Sequence, residues 1–232
     1  MNRVFISGAN RGIGLELVRQ CLARGDRVFA GCRKPGEAAE LLAMVTEAPD
    51  QLSLLAVDVT AETTIDTAVA EVQATAGGLE LLFNNAGANF GGETLVNLAA
   101  EHMVRLFRIN AVGPLLLTQR LRGVLKRGNS AKVINVSSEA GSISGLDRFR
   151  GYSYYGSKAA LNMFARCLAF DKEMAGVVVV ALHPGWVQTR MGGPRATLPA
   201  SDSVKAILAL AAKLGAADTG KFFNYDGTEI AW

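Results

Sequence analysis

Short apolar runs alternate with longer amphipathic stretches along almost the whole of this chain. The runs at 4–7, 28–30, 52–57, 79–83, 132–136, 177–182 and near 221–224 are continuous and rich in Val, Leu, Ile and Phe. Such runs predict strands buried on both faces, because a strand with one wet face alternates apolar and polar positions instead. The amphipathic stretches at 13–23, 37–46, 61–75, 99–125, 154–173 and 201–214 predict helices. Strand and helix taking turns imply right-handed crossovers and a parallel sheet covered on both sides. The expected fold class is therefore α/β, a doubly wound parallel sheet with helices on both faces. No linker, repeat or composition break divides residues 1–232, which predicts a single domain. Ligands of such sheets bind at the carboxyl ends of the strands.

Composition narrows the class without naming a chemistry. Of 232 residues, 50% are apolar and 19% charged, enough for a sizeable core and wrong for disorder. The net charge of +3 is mild, and no Lys/Arg block resembles a nucleic-acid footprint, so a small anionic ligand is the better partner. Cys21, Cys32 and Cys167 have no metal-like spacing, and their odd number argues against a disulfide framework. They read as three reduced thiols, two of them packed. The amino terminus enters a strand without a signal-peptide pattern, and the longest apolar run, 177–182, is too short to span a bilayer. A soluble, cytoplasmic protein with no membrane, nucleic-acid or metal partner is expected.

The turn after the first strand reads Ser7-Gly8-Ala9-Asn10-Arg11-Gly12-Ile13-Gly14. Gly8 permits a sharp exit from the strand, Gly12 lets backbone approach a phosphate, and Gly14 lets the helix pack close. The helix amino end adds unpaired N–H groups and a favourable dipole for an anion. The spacing, G-x3-G-x-G, differs from the commonest dinucleotide fingerprint, and by itself it also fits a plain strand–helix turn. The second strand is followed by Arg33, where an NAD-binding protein usually offers an acid to the ribose 2′-hydroxyl. A guanidinium there suits a 2′-phosphate, and Arg11 can reach the same group. This pair favours NADP(H) over NAD(H). Asp58, followed by Val59 at the third strand's end, either accepts from the adenine amino group or caps the helix beginning near Ala61.

Tyr154 and Lys158 stand at i and i+4 and so share a helix face. A free phenol has a pKa of about 10. A nearby ammonium, or a cationic nicotinamide, favours the phenolate and brings Tyr154 toward the range useful for acid–base work. Ser138 supplies a hydroxyl to polarise a carbonyl, with Ser137, Ser142 and Ser144 as rivals. Of Tyr152, Tyr154 and Tyr155, only Tyr154 precedes Lys158 by four. His102 and His183 belong to no metal-ligand cluster and receive no catalytic role.

The glycine turn, Asn84-Asn85-Ala86-Gly87, Asn110, Ser138, Tyr154-x-x-x-Lys158 and Pro184-Gly185 occur in one order along the chain. In that order the chain resembles the short-chain dehydrogenase/reductase family over essentially its whole length. Within the family, the segment from His183 to Thr189 and the compact length are most similar to the C-factor/sniffer-like carbonyl reductases. The resemblance implies a Rossmann-like sheet and NADPH-dependent reduction of an aldehyde or ketone to an alcohol. Tyr154 would be the general acid/base, with Lys158 lowering its pKa and binding ribose, and Ser138 would polarise the carbonyl. It further implies that Asn110 supports a proton relay through a water. Asn85, Ala86 and Gly87 would line the cofactor near its ribose, and Pro184, Gly185, Val187 and Thr189 the carboxamide end. Two departures stand out: Ser7 replaces the usual Thr, and the Ser138–Tyr154 interval is a few residues long, with Asp147, Arg148, Phe149 and Arg150 in the excess. Substrate specificity is expected from 187–200, 141–152 and 89–94, forming an open, adaptable pocket. A homodimer or homotetramer through the helices at 99–125 and 154–173 is also implied. The alternative is a dinucleotide-binding signalling or scaffold protein of the C-factor type with little turnover.

Overall fold

The computed structural model describes residues 1–149 and 151–232; Arg150 lies outside the described residues. Seven strands form one parallel sheet: β1 Arg3–Ser7, β2 Arg27–Cys32, β3 Leu52–Ala56, β4 Leu81–Asn84, β5 Lys132–Val136, β6 Val178–His183 and β7 Phe222–Asn224. Their order across the sheet is β3-β2-β1-β4-β5-β6-β7, the doubly wound arrangement that the alternating pattern predicts. The order reverses between β1 and β4, so the loops leaving these two strands diverge to opposite faces and leave a crevice.

Alternation within the strands divides the core into two layers. Val4, Ile6, Val28, Ala30, Phe83 and Val180 pack on one face against α1 (Gly12–Ala23), α2 (Ala39–Glu47) and α7 (Ala200–Lys213). Phe5, Phe29, Leu82, Val133 and Val179 face the other layer, covered by α3 (Glu62–Thr75), α5 (Gly113–Leu125) and α6 (Ser153–Phe170). Both faces are therefore apolar, which is why the strands read as unbroken hydrophobic runs.

The stretch at 99–125 is not one helix. It consists of α4 (Ala100–Phe107), a π-helical turn over Arg108–Val112, and α5. Pro114 sits at the start of α5, where its missing N–H costs least. A β-carbon on Gly113 would lie 2.6 Å from the Val59 carbonyl oxygen, so only glycine lets the segment pass this close to the chain after β3. The stretch at 154–173 likewise ends earlier than its pattern suggests. Asp171 leaves helical geometry and accepts from the Glu173 amide, opening a short 3-10 turn.

Cys21 and Cys32 are buried and Cys167 is exposed, all three free. Burial pushes the Cys21 thiol up to about 12. No described helix is long and apolar enough to cross a membrane.

At the end of the sheet opposite the crevice, Glu80 fastens β4 to β1. Its carboxylate accepts from the Arg3 amide at 2.7 Å, from Arg3 Nε at 3.0 Å and Nη2 at 2.6 Å, and from the Asn129 amide at 3.1 Å. Burial alone would raise its pKa, but these bonds more than offset that and hold it at about 2. A carboxylate with a depressed folded-state pKa contributes stability that is fully present above its unfolded value and is lost as pH falls through the folded one. Glu80→Gln is expected to cost about 2 kcal/mol at neutral pH. In urea melts it should also flatten the wild-type loss of stability between pH 4.5 and about 2.

Candidate functional site

The glycine turn is built against the exit of β4. Ser7 Oγ accepts from the amides of Asn85 at 3.0 Å and Ala86 at 3.1 Å. Asn85 returns two bonds from its own Nδ2, to the carbonyls of Ser7 at 3.0 Å and Gly8 at 3.1 Å. The hydroxyl at position 7 thus does the bracing, and the Asn85 side chain faces the turn while its backbone continues along the crevice. Gly8 has φ +67°, and a β-carbon there would lie 2.8 Å from Ala86 Cα; one on Gly14 would lie 2.2 Å from the Gly8 carbonyl oxygen. Only glycine allows these approaches.

Gly12, Ile13 and Gly14 form the first turn of α1, ahead of the helix's first intrahelical bond, from the Leu15 amide to the Arg11 carbonyl at 3.3 Å. Their amides point out of the amino end, with no acid in the first turn and no side-chain cap on Arg11. Asn10 is exposed at the tip, and the Ala9 amide ties the turn to Gly31 of β2 at 3.0 Å.

Arg11 and Arg33 come together, as expected, and Arg190 joins them. Burial, then Arg190, then Arg33 push the Arg11 guanidinium below its ordinary pKa. Among the described residues none of the three forms an ion pair. Like charges gathered beside an uncapped helix amino end suit a polyanion such as a phosphorylated dinucleotide. Arg190 had no signal in the sequence beyond its charge, since it arrives from a loop some 180 residues downstream of the glycine turn.

Asp58 does not cap a helix. Its Oδ1 accepts from the Thr60 amide at 2.9 Å and hydroxyl at 2.7 Å, shaping the turn before α3. Burial works against ionisation, yet the Thr60 bonds, with Arg33 and Arg108 nearby, hold Asp58 below the usual carboxylate range. Val59 is buried against Gly113.

The second half-site lies on the other flank of β4. A β-carbon on Gly87 would lie 3.4 Å from Asn110 Oδ1 and 3.8 Å from Lys158 Nζ, so the three groups converge. Asn110 sits in the π-helical turn, fully buried. Its Oδ1 accepts from the Ala88 amide at 2.8 Å, and its Nδ2 donates to the Ala88 carbonyl at 2.9 Å and to Ser157 Oγ at 3.0 Å. Ser157 in turn donates to the Tyr154 carbonyl at 2.8 Å. The side chain expected to support a water-borne relay braces the crevice wall against α6.

Lys158 is buried, donates to the Val136 carbonyl at 2.8 Å, and is pushed down to about 8 by burial. Its Nζ lies 5.9 Å from the Tyr154 ring centroid. Tyr154 departs from expectation. Its pKa is raised, with burial the largest cause, a hydrogen bond with Ser138 opposing it and Tyr155 adding to it. The ammonium is held by a strand carbonyl rather than by the phenol, so desolvation decides the direction.

Of the four candidate serines, Ser138 is the one whose hydroxyl acts on Tyr154, favouring its ionised form. It also caps the short 3-10 turn Glu139–Gly141 by accepting from the Ala140 amide at 3.1 Å. Its rivals are engaged elsewhere: Ser137 donates to Asn162 Oδ1 at 2.6 Å, Ser142 to the Ala231 carbonyl at 2.6 Å and Ser144 to the Trp232 carbonyl at 2.7 Å. His183 ends β6, 4.0 Å from Glu139, and burial lowers its pKa, with Lys158 acting in the same direction and Glu139 against it.

The segment after β6 closes over the glycine turn. The Pro184 carbonyl accepts from Ser203 Oγ at 2.6 Å, and Gly185 turns with φ +84° where a β-carbon would strike Leu198. Val187 pairs with Leu198, and a β-carbon on Gly12 would lie 3.2 Å from Thr189 Cγ2. The Trp186 indole donates to the Gly192 carbonyl at 2.9 Å. This loop is internally bonded, and apolar bulk at Trp186 and Met191 faces solvent. Beside Tyr154 lies a cavity of about 200 Å³, lined among others by Asn89, Phe90, Glu93, His102 and Leu106. Glu93 belongs to the 89–94 segment expected to shape specificity, whereas His102 was not anticipated as a pocket residue, because α4 meets this loop only in the folded chain. No group of three or more metal-ligating side chains occurs among the described residues.

Comparison with known proteins agrees with this arrangement. A family model described as short chain dehydrogenase matches residues 2–198. C-signal of Myxococcus xanthus is 44% identical over 156 residues, covering 67% of this chain and 94% of that protein. The solved carbonyl reductase Sniffer of D. melanogaster superposes with a TM-score of 0.95 at 33% identity, covering 100% of both chains. An NADPH-bound carbonyl reductase from chicken fatty liver gives a TM-score of 0.93 at 37% identity, covering 100% of this chain and 94% of that one. With a braced glycine turn on one flank of β4 and the Ser138, Tyr154 and Lys158 cluster on the other, the chain belongs to the short-chain dehydrogenase family of oxidoreductases.

Proposed function

We propose that this protein is an NADPH-dependent carbonyl reductase converting an aldehyde or ketone to an alcohol, its whole length forming one NADP-binding unit. The observation carrying this reading is the convergence of buried Lys158 and Asn110 on Gly87, with the Tyr154 ring 5.9 Å from Lys158 Nζ. The site fits the dinucleotide. Three glycine approaches leave the α1 amino end bare, and three guanidinium groups collect beside it. NADP-bound carbonyl reductases stand among the similar structures.

Gly8, Asn10, Arg11, Gly12, Ile13 and Gly14 would hold the diphosphate, and Arg33 with Arg190 the 2′-phosphate. Asp58 and Val59 would flank the adenine, Asn85, Ala86 and Gly87 the ribose, and Pro184, Gly185, Val187 and Thr189 the carboxamide end. A nicotinamide held there would supply the hydride that reduces the carbonyl carbon. Tyr154, kept protonated by burial, donates its proton to the carbonyl oxygen. Ser138 donates a hydrogen bond to the same oxygen as negative charge develops. Lys158 binds ribose and passes protons back to Tyr154, while Asn110 supports that relay by fixing Ala88 and Ser157. Phe90 in the pocket lining, with exposed Trp186 and Met191 on the loop after β6, suits aromatic or medium-sized apolar carbonyls. Exposed Val104, Val112, Met163 and Phe170 on α4, the π-turn and α6 favour a homodimer or homotetramer. The three free thiols suit the cytoplasm.

The signalling alternative draws on the similarity to C-signal, but a buried proton-transfer set favours turnover, since binding alone has no use for it. NADPH-dependent binding of a partner that survives Tyr154→Phe, without carbonyl turnover, would reverse the preference.

Tyr154→Phe is expected to lower NADPH-dependent carbonyl reduction by about 10²-fold or more while leaving the NADPH Kd nearly unchanged; retained turnover overturns the assignment. Arg33→Ala should weaken NADPH by about tenfold and NADH far less, and equal losses in fluorescence titrations would remove Arg33 from the 2′-phosphate. The reduction rate should hold through neutral pH and fall as pH rises past about 8, because Lys158 loses its proton there. A rate that rises across that range contradicts the relay.

A further inference from the structure

The catalytic helix α6 begins one residue before Tyr154, yet its own sequence offers no side-chain cap at Tyr152. The cap comes from a distant loop. Glu93 Oε2 accepts from the amides of Tyr152 at 2.8 Å and Ser153 at 2.6 Å, and Oε1 accepts from the Ser153 hydroxyl. A carboxylate at this end of a helix satisfies orphan N–H groups and complements the dipole. The bonds from Ser153 and Tyr152, with His102 nearby, hold Glu93 below the usual carboxylate range.

The loop that carries Glu93 is ordered from within and fastened at its other end. Asn97 Oδ1 accepts from the Thr94 amide at 2.6 Å and hydroxyl at 3.0 Å, and Asn97 Nδ2 donates to the Gly92 carbonyl at 3.1 Å. Gly91 and Gly92 take left-handed φ values of +65° and +68°, which close the turn. Phe90 lies edge-on to the His102 ring, with centroids 5.7 Å apart, and the Arg105 guanidinium sits 5.2 Å from the Phe90 ring centre. Both partners belong to α4. The loop is therefore tied to α4 by Phe90 and to α6 by Glu93, with the 200 Å³ cavity and Tyr154 beneath it.

We infer that Glu93 is a positioning residue of the substrate pocket: its carboxylate straps the 89–97 loop across the amino end of the catalytic helix and holds the pocket wall in place beside Tyr154. The inference rests on the carbonyl-reductase reading for its kinetic consequence, though not for its geometry. The proton-transfer groups have other anchors. Lys158 is tied to Val136, and the Tyr154 backbone to Asn110 through Ser157. Loss of the strap should consequently fall on carbonyl binding more than on the chemical step.

The test compares Glu93→Ala and Glu93→Gln with the wild-type enzyme, using NADPH and the best carbonyl from a panel of aldehydes and ketones. Amide hydrogen exchange over 89–97 and at Tyr152 and Ser153 runs beside it. Glu93→Ala should raise the carbonyl KM by about tenfold, with kcat within about threefold and NADPH Kd unchanged. Faster exchange in the strap should accompany it. Glu93→Gln keeps an oxygen acceptor for the two amides and should recover most of the KM. An unchanged KM, or a loss confined to kcat, overturns the inference while leaving the reductase reading intact. Should the wild-type protein reduce no carbonyl, the reductase reading fails, and the exchange measurement alone decides the strap: faster exchange in Glu93→Ala upholds it, unchanged exchange overturns it.

Discussion

The approach of the glycine turn to the exit of β4 is the constraint on which the rest of the site depends. Gly14 has no room for a β-carbon, since one would stand 2.2 Å from the Gly8 carbonyl and 2.5 Å from Asn85 Nδ2. Such closeness is stable because the polar groups it buries are paired: Ser7 Oγ and the Asn85 amide bridge the two loops. Unpaired, each would cost on the order of 1–3 kcal/mol. The same contact sets the width of the crevice, because the Asn85, Ala86 and Gly87 backbone continues from the glycine turn directly to Asn110 and Lys158.

A second layer of polar bracing carries that position toward the chemistry. Asn84 of β4 donates to Thr118 on α5 and to Asn135 on β5, both at 2.9 Å, and Asn135 donates to the Val180 carbonyl on β6 at 3.2 Å. Asn110 joins the β4 exit to α6. Amides in a sheet this apolar limit how strands and helices can shift relative to one another, because sliding would strand a buried donor. The reactive side chains are thereby held with little reliance on the surface loops.

Desolvation sets the electrostatics within that frame. Burial lowers Lys158 and raises Tyr154, so an ammonium and a phenol that start with similar proton affinities are moved apart, the phenol holding its proton more firmly. Around the amino end of α1 the field has the opposite character, with exposed guanidinium groups repelling one another. The crevice thus runs from a surface of gathered positive charge to a buried, water-poor end.

The strands and most helices were legible in the chain because their cause is local: apolar runs buried on both faces, and apolar periods on one. Tyr154 and Lys158 were legible for the same reason, as residues four apart on a helix share a face. Three residues forming the glycine turn announced themselves by lacking side chains where none fit. Other features depended on contacts between distant segments. Gly113, directly after the π-helical turn at Arg108–Val112, packs close against Val59 on a distant segment. Choice among four serines followed from which partners the fold brought to each. Arg190 beside Arg11, Glu93 capping α6, and the upward shift of Tyr154 are likewise decided by burial and by segments far apart in sequence. Residue types and local spacing determined the sheet, the glycine turn and the Tyr–Lys pair; long-range packing decided which groups face the crevice and what charge they carry, because solvent exclusion and partner choice exist only once the chain has closed on itself.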